Sequence, residues 1–176
     1  MERLSRGDIV RALRALAAEL PPSHPPVELF VLGGAALVLL YGAREATRDV
    51  DAVVGTPHDR AVIFTAARKI AEILGLPEDW LSDAAKGYLH GLAPGETLLE
   101  APSLIVRAVA PFQLLAMKLS AWRDDLDIDD ARLLLSKLPG SQVDVWRLVA
   151  PYLVPGRELK ARYAFEDLWE ATHGSP

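Results

Sequence analysis

Asp49 and Asp51 stand one apolar residue apart and lead into Ala52-Val53-Val54. Charged and apolar residues that alternate and then turn wholly apolar predict a strand over Asp49 to Val54, leaving a site and entering a core. Side chains at i and i+2 of a strand share a face, so the two carboxylates are expected side by side. Such a pair repels, and burying it unpartnered is costly. A hard divalent cation, Mg²⁺ or Mn²⁺, is the usual compensation. The competing reading is that Arg44 or Arg48 neutralises the pair without metal. Upstream, Leu29-Phe30-Val31-Leu32 reads as a buried strand, and Gly33-Gly34 opens a helical segment over Ala35 to Tyr41 that Gly42 can close. A turn without side chains lets phosphate approach the backbone N–H groups of a helix N-terminus. Taken alone, two glycines equally describe a tight strand-to-helix turn. Neither the Gly-x-Gly-x-x-Gly nor the P-loop pattern occurs, so those phosphate sites fail on residue types.

The order strand, Gly33-Gly34, helix, then Asp49-x-Asp51 on a second strand resembles the nucleotidyltransferases of the DNA polymerase beta superfamily. Further on, Leu114 to Arg123 followed by Asp127-Ile128-Asp129-Asp130 is similar to the AbiEii-type and related toxin nucleotidyltransferases. The resemblance implies an α/β (α+β) nucleotidyltransferase fold, a mixed sheet flanked by helices. Residues 1–110 would form the core and 111–176 a C-terminal helical region packed on it. It implies transfer of a nucleoside monophosphate from an NTP to an acceptor hydroxyl, on a tRNA 3′ end or a protein, with an antitoxin protein as a further partner. On the same resemblance Asp49 and Asp51 hold the metal, and Gly33 and Gly34 meet the triphosphate. Arg44, Thr47, Lys118 and Arg123 join the nucleotide site, and Asp127 and Asp130 join the catalytic group. Lys118 would face the phosphates, and its removal would weaken binding while sparing the fold. One departure stands out: Leu104 to Val109 carries no acid where the superfamily places a third carboxylate. Glu96, Glu100, Asp83 or the Asp127–Asp130 group would have to supply it. The alternative is a degenerate member of the same fold that binds nucleotide or protein without catalysis.

The residues also admit plainer readings. Lys118 lies between Met117 and Leu119 on an apolar helix, where a lysine often snorkels to solvent. Asp127 and Asp130 have the spacing of an N-cap and its N3 partner, ahead of a helix from Asp129 to Leu138. Asp83 and Lys86, three apart, make an ordinary surface ion pair. The histidines, His24, His58, His90 and His173, form no metal-binding pair, and no Gly-x-Ser-x-Gly elbow is present.

The remaining elements must position these residues. Ile9, Leu13, Leu16 and Leu20 recur at helical spacing behind Asp8 as N-cap, with Arg11 and Arg14 on a solvated face. Pro21 to Pro26 is a stiff linker. A helix begins at Asp59, buries Val62, Ile63, Ala66, Ile70, Ile73 and Leu74 over the sheet, and ends at Gly75. Pro77 to Tyr88 is a polar, aromatic-bearing segment. Leu98-Leu99 and Leu104 to Val109 make a hairpin. After Pro111 the period is helical over Phe112 to Arg123, Gln142 to Leu153, and Arg157 to about Ala171. Across 176 residues half are hydrophobic, enough for a sizeable core, and the net charge of −5 disfavours a broad nucleic-acid surface. The absence of cysteine excludes thiolate zinc and disulfides and suits the cytoplasm. No membrane partner is expected, because the longest apolar run, Leu29 to Tyr41, is too short to span a bilayer.

Overall fold

The apolar run Leu29-Phe30-Val31 does what the sequence pattern asks: it builds a buried strand in the middle of a sheet. A computed structural model describes residues 3–22, 25–56 and 59–174; His24, His58 and part of the proline linker lie outside them. Among the described residues the chain is mixed α/β, with a five-stranded mixed sheet, a small two-stranded sheet and seven α-helices. It divides into two units: one runs to Lys86 and includes Pro94–Ala108, the other comprises Gly87–Ala93 and Val109 onward.

In the first unit, strands β1 (Leu4–Ser5) and β3 (Ala46–Thr47) pair antiparallel. The main sheet holds β2 (Val27–Val31), β4 (Val50–Val54), β5 (Leu81–Ser82), β6 (Pro94–Glu100) and β7 (Leu104–Val109) in the order β5-β4-β2-β7-β6. Strand β2 is antiparallel to β4 and parallel to β7, and β4 is parallel to β5. The register places Leu29, Val31, Ala52, Val106 and Ala108 on one face, all buried. The opposite face carries Glu28, Asp51, Val53, Ile105 and Arg107, each only partly buried, together with Phe30, which is buried. One side of the sheet is therefore core, and the other carries its charged residues.

Helix α1 (Arg6–Glu19) is capped three residues before the expected N-cap, Asp8. Ser5 caps it and Asp8 is the N3 residue, each bonding the other's backbone N–H in a capping box. Helix α2 (Gly33–Tyr41) is apolar throughout and closes on Gly42 in the left-handed conformation. Helix α3 (Arg60–Leu74) packs on α1 and buries Ile63, Ala66, Ala67, Ile70 and Ala71. Val62 and Ile73, expected inside, are 50% and 62% exposed, because the buried stripe includes Ala67 and Ala71 and turns those two outward. The segment after α3 is less polar in its role than in its composition. Trp80 is fully buried, its indole N–H donating to the Ala67 carbonyl at 2.9 Å, so this ring is core.

The second unit is helical: α4 (Pro111–Ala121), α5 (Asp125–Ser136), α6 (Gln142–Val149) and α7 (Glu158–His173), with α4 packed against the other three. Helix α5 begins four residues earlier than the sequence pattern suggested, and α6 gives way to a 3-10 turn at Ala150–Tyr152. Gln113, fully buried, holds the loop ahead of α4: it accepts from the Ala93 N–H and donates to the His90 and Gly91 carbonyls. No helix among the described residues is long and apolar enough to cross a membrane.

Candidate functional site

Two glycines decide the geometry at the head of α2. Gly33 has φ +62, a left-handed conformation that other residues adopt only with strain. A Cβ at Gly33 would lie 3.3 Å from Asp51 Oδ2. A Cβ at Gly34 would lie 3.0 Å from Thr47 Oγ1 and 3.5 Å from an Arg44 guanidinium nitrogen. The missing side chains thus let a carboxylate, a hydroxyl and a guanidinium crowd against one helix N-terminus. Leu32, the N-cap, gives this end no side-chain hydrogen bond. The strands fix the partners. Leu32 N–H bonds the Asp51 carbonyl at 2.9 Å, and Thr47 sits on β3, held by β1. Asp51 Oδ1 also accepts the Ala85 N–H at 3.2 Å.

Asp49 stands just outside β4, which begins at Val50, where the Val50 N–H bonds the Trp80 carbonyl at 2.7 Å. The expected strand over Asp49 to Val54 is therefore one residue shorter. Val50 is fully buried while Asp49 and Asp51 on either side are half-buried. Burial pushes the Asp49 carboxyl up; Arg48 opposes this and Asp79 adds to it. Arg48 meets Asp79 at 3.8 Å with both side chains largely exposed. Among the described residues no three His, Cys, Asp or Glu side chains converge into a metal cage. Mg²⁺ typically takes one or two carboxylates and completes its shell with water and substrate phosphates. Of the two half-buried carboxylates, Asp51 lies against the glycine-lined helix N-terminus, and Asp49 stands two residues before it.

The other site residues lie in the second unit. Lys118 Nζ bonds Asp127 Oδ1 at 2.9 Å and lies 2.7 Å from Asp130 Oδ2. The side chains are 14%, 2% and 6% exposed, so the lysine does not snorkel; it neutralises two buried acids. Asp127 takes three further bonds from Arg123, from its N–H at 3.1 Å, its Nε at 3.0 Å and its Nη2 at 3.4 Å. The helix N-cap is Asp124, and Asp127 is the N3 residue that donates its N–H to it, which corrects the capping expectation for Asp127 and Asp130. Burial alone would raise the Asp127 carboxyl, but bonds from Arg123 and Lys118 and the Lys118 charge hold it at about 2. Arg123 and Arg157 both lie over the Tyr88 ring.

Of the acids that could replace the missing strand carboxylate, Asp83 is tied to Arg60 at 2.8 Å and Lys86 at 2.9 Å, and its carboxyl is lowered chiefly by the Lys86 bond. On β7 the charged residue is Arg107, bonded to Glu28 at 3.2 Å and Thr97 at 2.8 Å. Sequence reasoning passed over Asp79, whose field reaches Asp49, and over Arg60, Phe64 and Arg68. Their spacing of four along α3 was the available signal. No family model matches the chain, and no curated protein or solved structure shows significant similarity to it, so the site is read from its own geometry.

Proposed function

We propose that the chain is a nucleotidyltransferase: an acceptor hydroxyl attacks the α-phosphorus of an NTP and pyrophosphate leaves. The observation that carries this reading is the meeting of Gly33 and Gly34 with Asp51, Thr47 and Arg44 at one helix N-terminus. There the backbone N–H groups and the helix dipole favour the β- and γ-phosphates. Thr47 Oγ1 offers a further hydrogen bond and Arg44 a cation against triphosphate charge. Asp49 and Asp51 would hold Mg²⁺, which when bound offsets charge on the phosphates and the leaving group. The sheet fold described above suits a nucleotidyltransferase core. Lys118 belongs to the second unit, where Asp127 and Asp130 already hold its ammonium.

The test is thermal unfolding with Mg²⁺, with NTP, and with both. A ligand that binds only the native chain raises the midpoint by mass action, so the pair should raise it more than either alone. Asp51→Asn and Arg44→Ala should each remove most of that extra shift. Identical midpoints at millimolar ligand would refute the reading.

A further inference from the structure

A second constellation in the first unit is outside the glycine cradle. Arg60, Phe64 and Arg68 recur at every fourth residue of α3 and so share a stripe of that helix. With Ala67, Glu78, Asp79 and Leu81 they line a cavity of about 560 Å³. The Arg60 guanidinium lies 4.9 Å from the Phe64 ring centre and is paired with Asp83 through Nη2 at 2.8 Å and Nε at 3.0 Å. Arg68 donates through Nε to the Phe64 carbonyl, and no carboxylate among the described residues is within ion-pair distance of it. Glu78 and Asp79, also on the lining, supply acceptors. Asp79 also lies 3.8 Å from Arg48, the neighbour of Asp49, so the cavity borders the carboxylate site.

A ligand for this wall needs three parts: an anionic end for two guanidinium groups, a flat body for an aromatic ring, and hydrogen-bond donors for two carboxylates. Guanidinium groups match phosphate in a bidentate fashion, and rings and guanidinium planes both stack on bases. Carboxylates accept from exocyclic amino groups such as cytosine N4. We propose that this cavity binds one nucleoside monophosphate unit whose base carries an amino group, separately from the triphosphate cradle. It stacks the base on Phe64, grips the phosphate with Arg68 and Arg60, and reads the amino edge with Glu78 and Asp79. The placement beside Asp49 rests on the transferase reading; the site itself does not.

The experiment titrates GMP, AMP, CMP and UMP into the full chain with EDTA present, by calorimetry, together with a single-stranded RNA tetranucleotide and free tryptophan. At least one of the three amino-bearing nucleotides should bind more tightly than UMP and than tryptophan. Arg68→Ala and Phe64→Leu should each weaken it about tenfold or more, the loss of one charged or stacking contact. Glu78→Gln should narrow the preference over UMP, and Arg132→Ala, on an exposed ion pair of the second unit, should leave binding unchanged. Competition by the tetranucleotide would identify an RNA end as the source of the unit; its failure would identify free nucleotide. No metal-free binding at millimolar concentration, equal binding by Arg68→Ala and Phe64→Leu, or tryptophan binding as tightly, overturns the site. The Mg²⁺–NTP thermal shift separates the two readings. If the unsubstituted chain shows the Mg²⁺–NTP shift but binds no nucleoside monophosphate, the transferase stands and the cavity proposal falls.

Discussion

Asp127→Asn removes one charge from the Lys118 cluster and nearly keeps its shape. The wild-type carboxyl sits at about 2, against 3.8 for an ordinary aspartate. That difference corresponds to about 2 kcal/mol of native-state stability at neutral pH. Because the folded value lies below the unfolded one, the contribution is complete above the unfolded range and is lost as pH falls towards the folded value. About half should be gone by pH 3. Urea titrations of both proteins by circular dichroism at pH 7, 4 and 3 measure this directly. The mutant should be less stable by about 2 kcal/mol at pH 7, with the gap closing in acid. A gap of equal size at pH 7 and pH 3 would mean that shape or hydrogen bonding, not charge, is responsible. No gap at pH 7 would mean the cluster contributes nothing. Lys118→Met should do more damage, about 3–5 kcal/mol, since it leaves Asp127 and Asp130 buried without their shared cation. That outcome reverses the expectation that Lys118 can be removed without harm to the fold.

Three further outcomes follow from the first unit. Gly34→Ala should destabilise the chain by about 1–3 kcal/mol through its clash with Thr47 Oγ1, and adding Thr47→Ala should recover much of that, as a double-mutant cycle in urea would show. Asp49→Asn should raise the unfolding midpoint of the metal-free protein at neutral pH. The folded carboxyl is raised, so its charge opposes folding above its titration range, and the gain should vanish at acid pH. Trp80→Phe should cost about 1–3 kcal/mol in the same assay, from lost volume and from the lost bond to the Ala67 carbonyl.

The turns were legible in the sequence because only one residue type does their work. Gly33, Gly42 and Gly75 all take positive φ, and Pro111 sits at the head of α4 as its missing N–H allows. Residues that two positions could supply were not legible. Ser5 and Asp8 are both capping types, and which one caps depends on where the helix begins; here β1 ends at Ser5 and leaves Asp8 as its reciprocal partner. The same ambiguity hid the buried cluster. Helix α5 starts at Asp125 with Asp124 as cap, so Asp127 falls inside the first turn and reaches Lys118.

The alternation rule placed Asp51 correctly on β4, opposite the buried face. It could not fix where the strand begins, because the Val50 N–H takes its partner from Trp80, thirty residues downstream in sequence and unseen by any local pattern. This contact does more than end a strand. It docks the segment from Pro77 to Tyr88 beside the carboxylates, so that Ala85 can donate to Asp51 and Asp79 can raise Asp49. The glycine turn belongs to local sequence, but the electrostatics around the two aspartates belong to this long-range pairing. Residues that act through such a pairing, Asp79 above all, become visible only when the strand order is known.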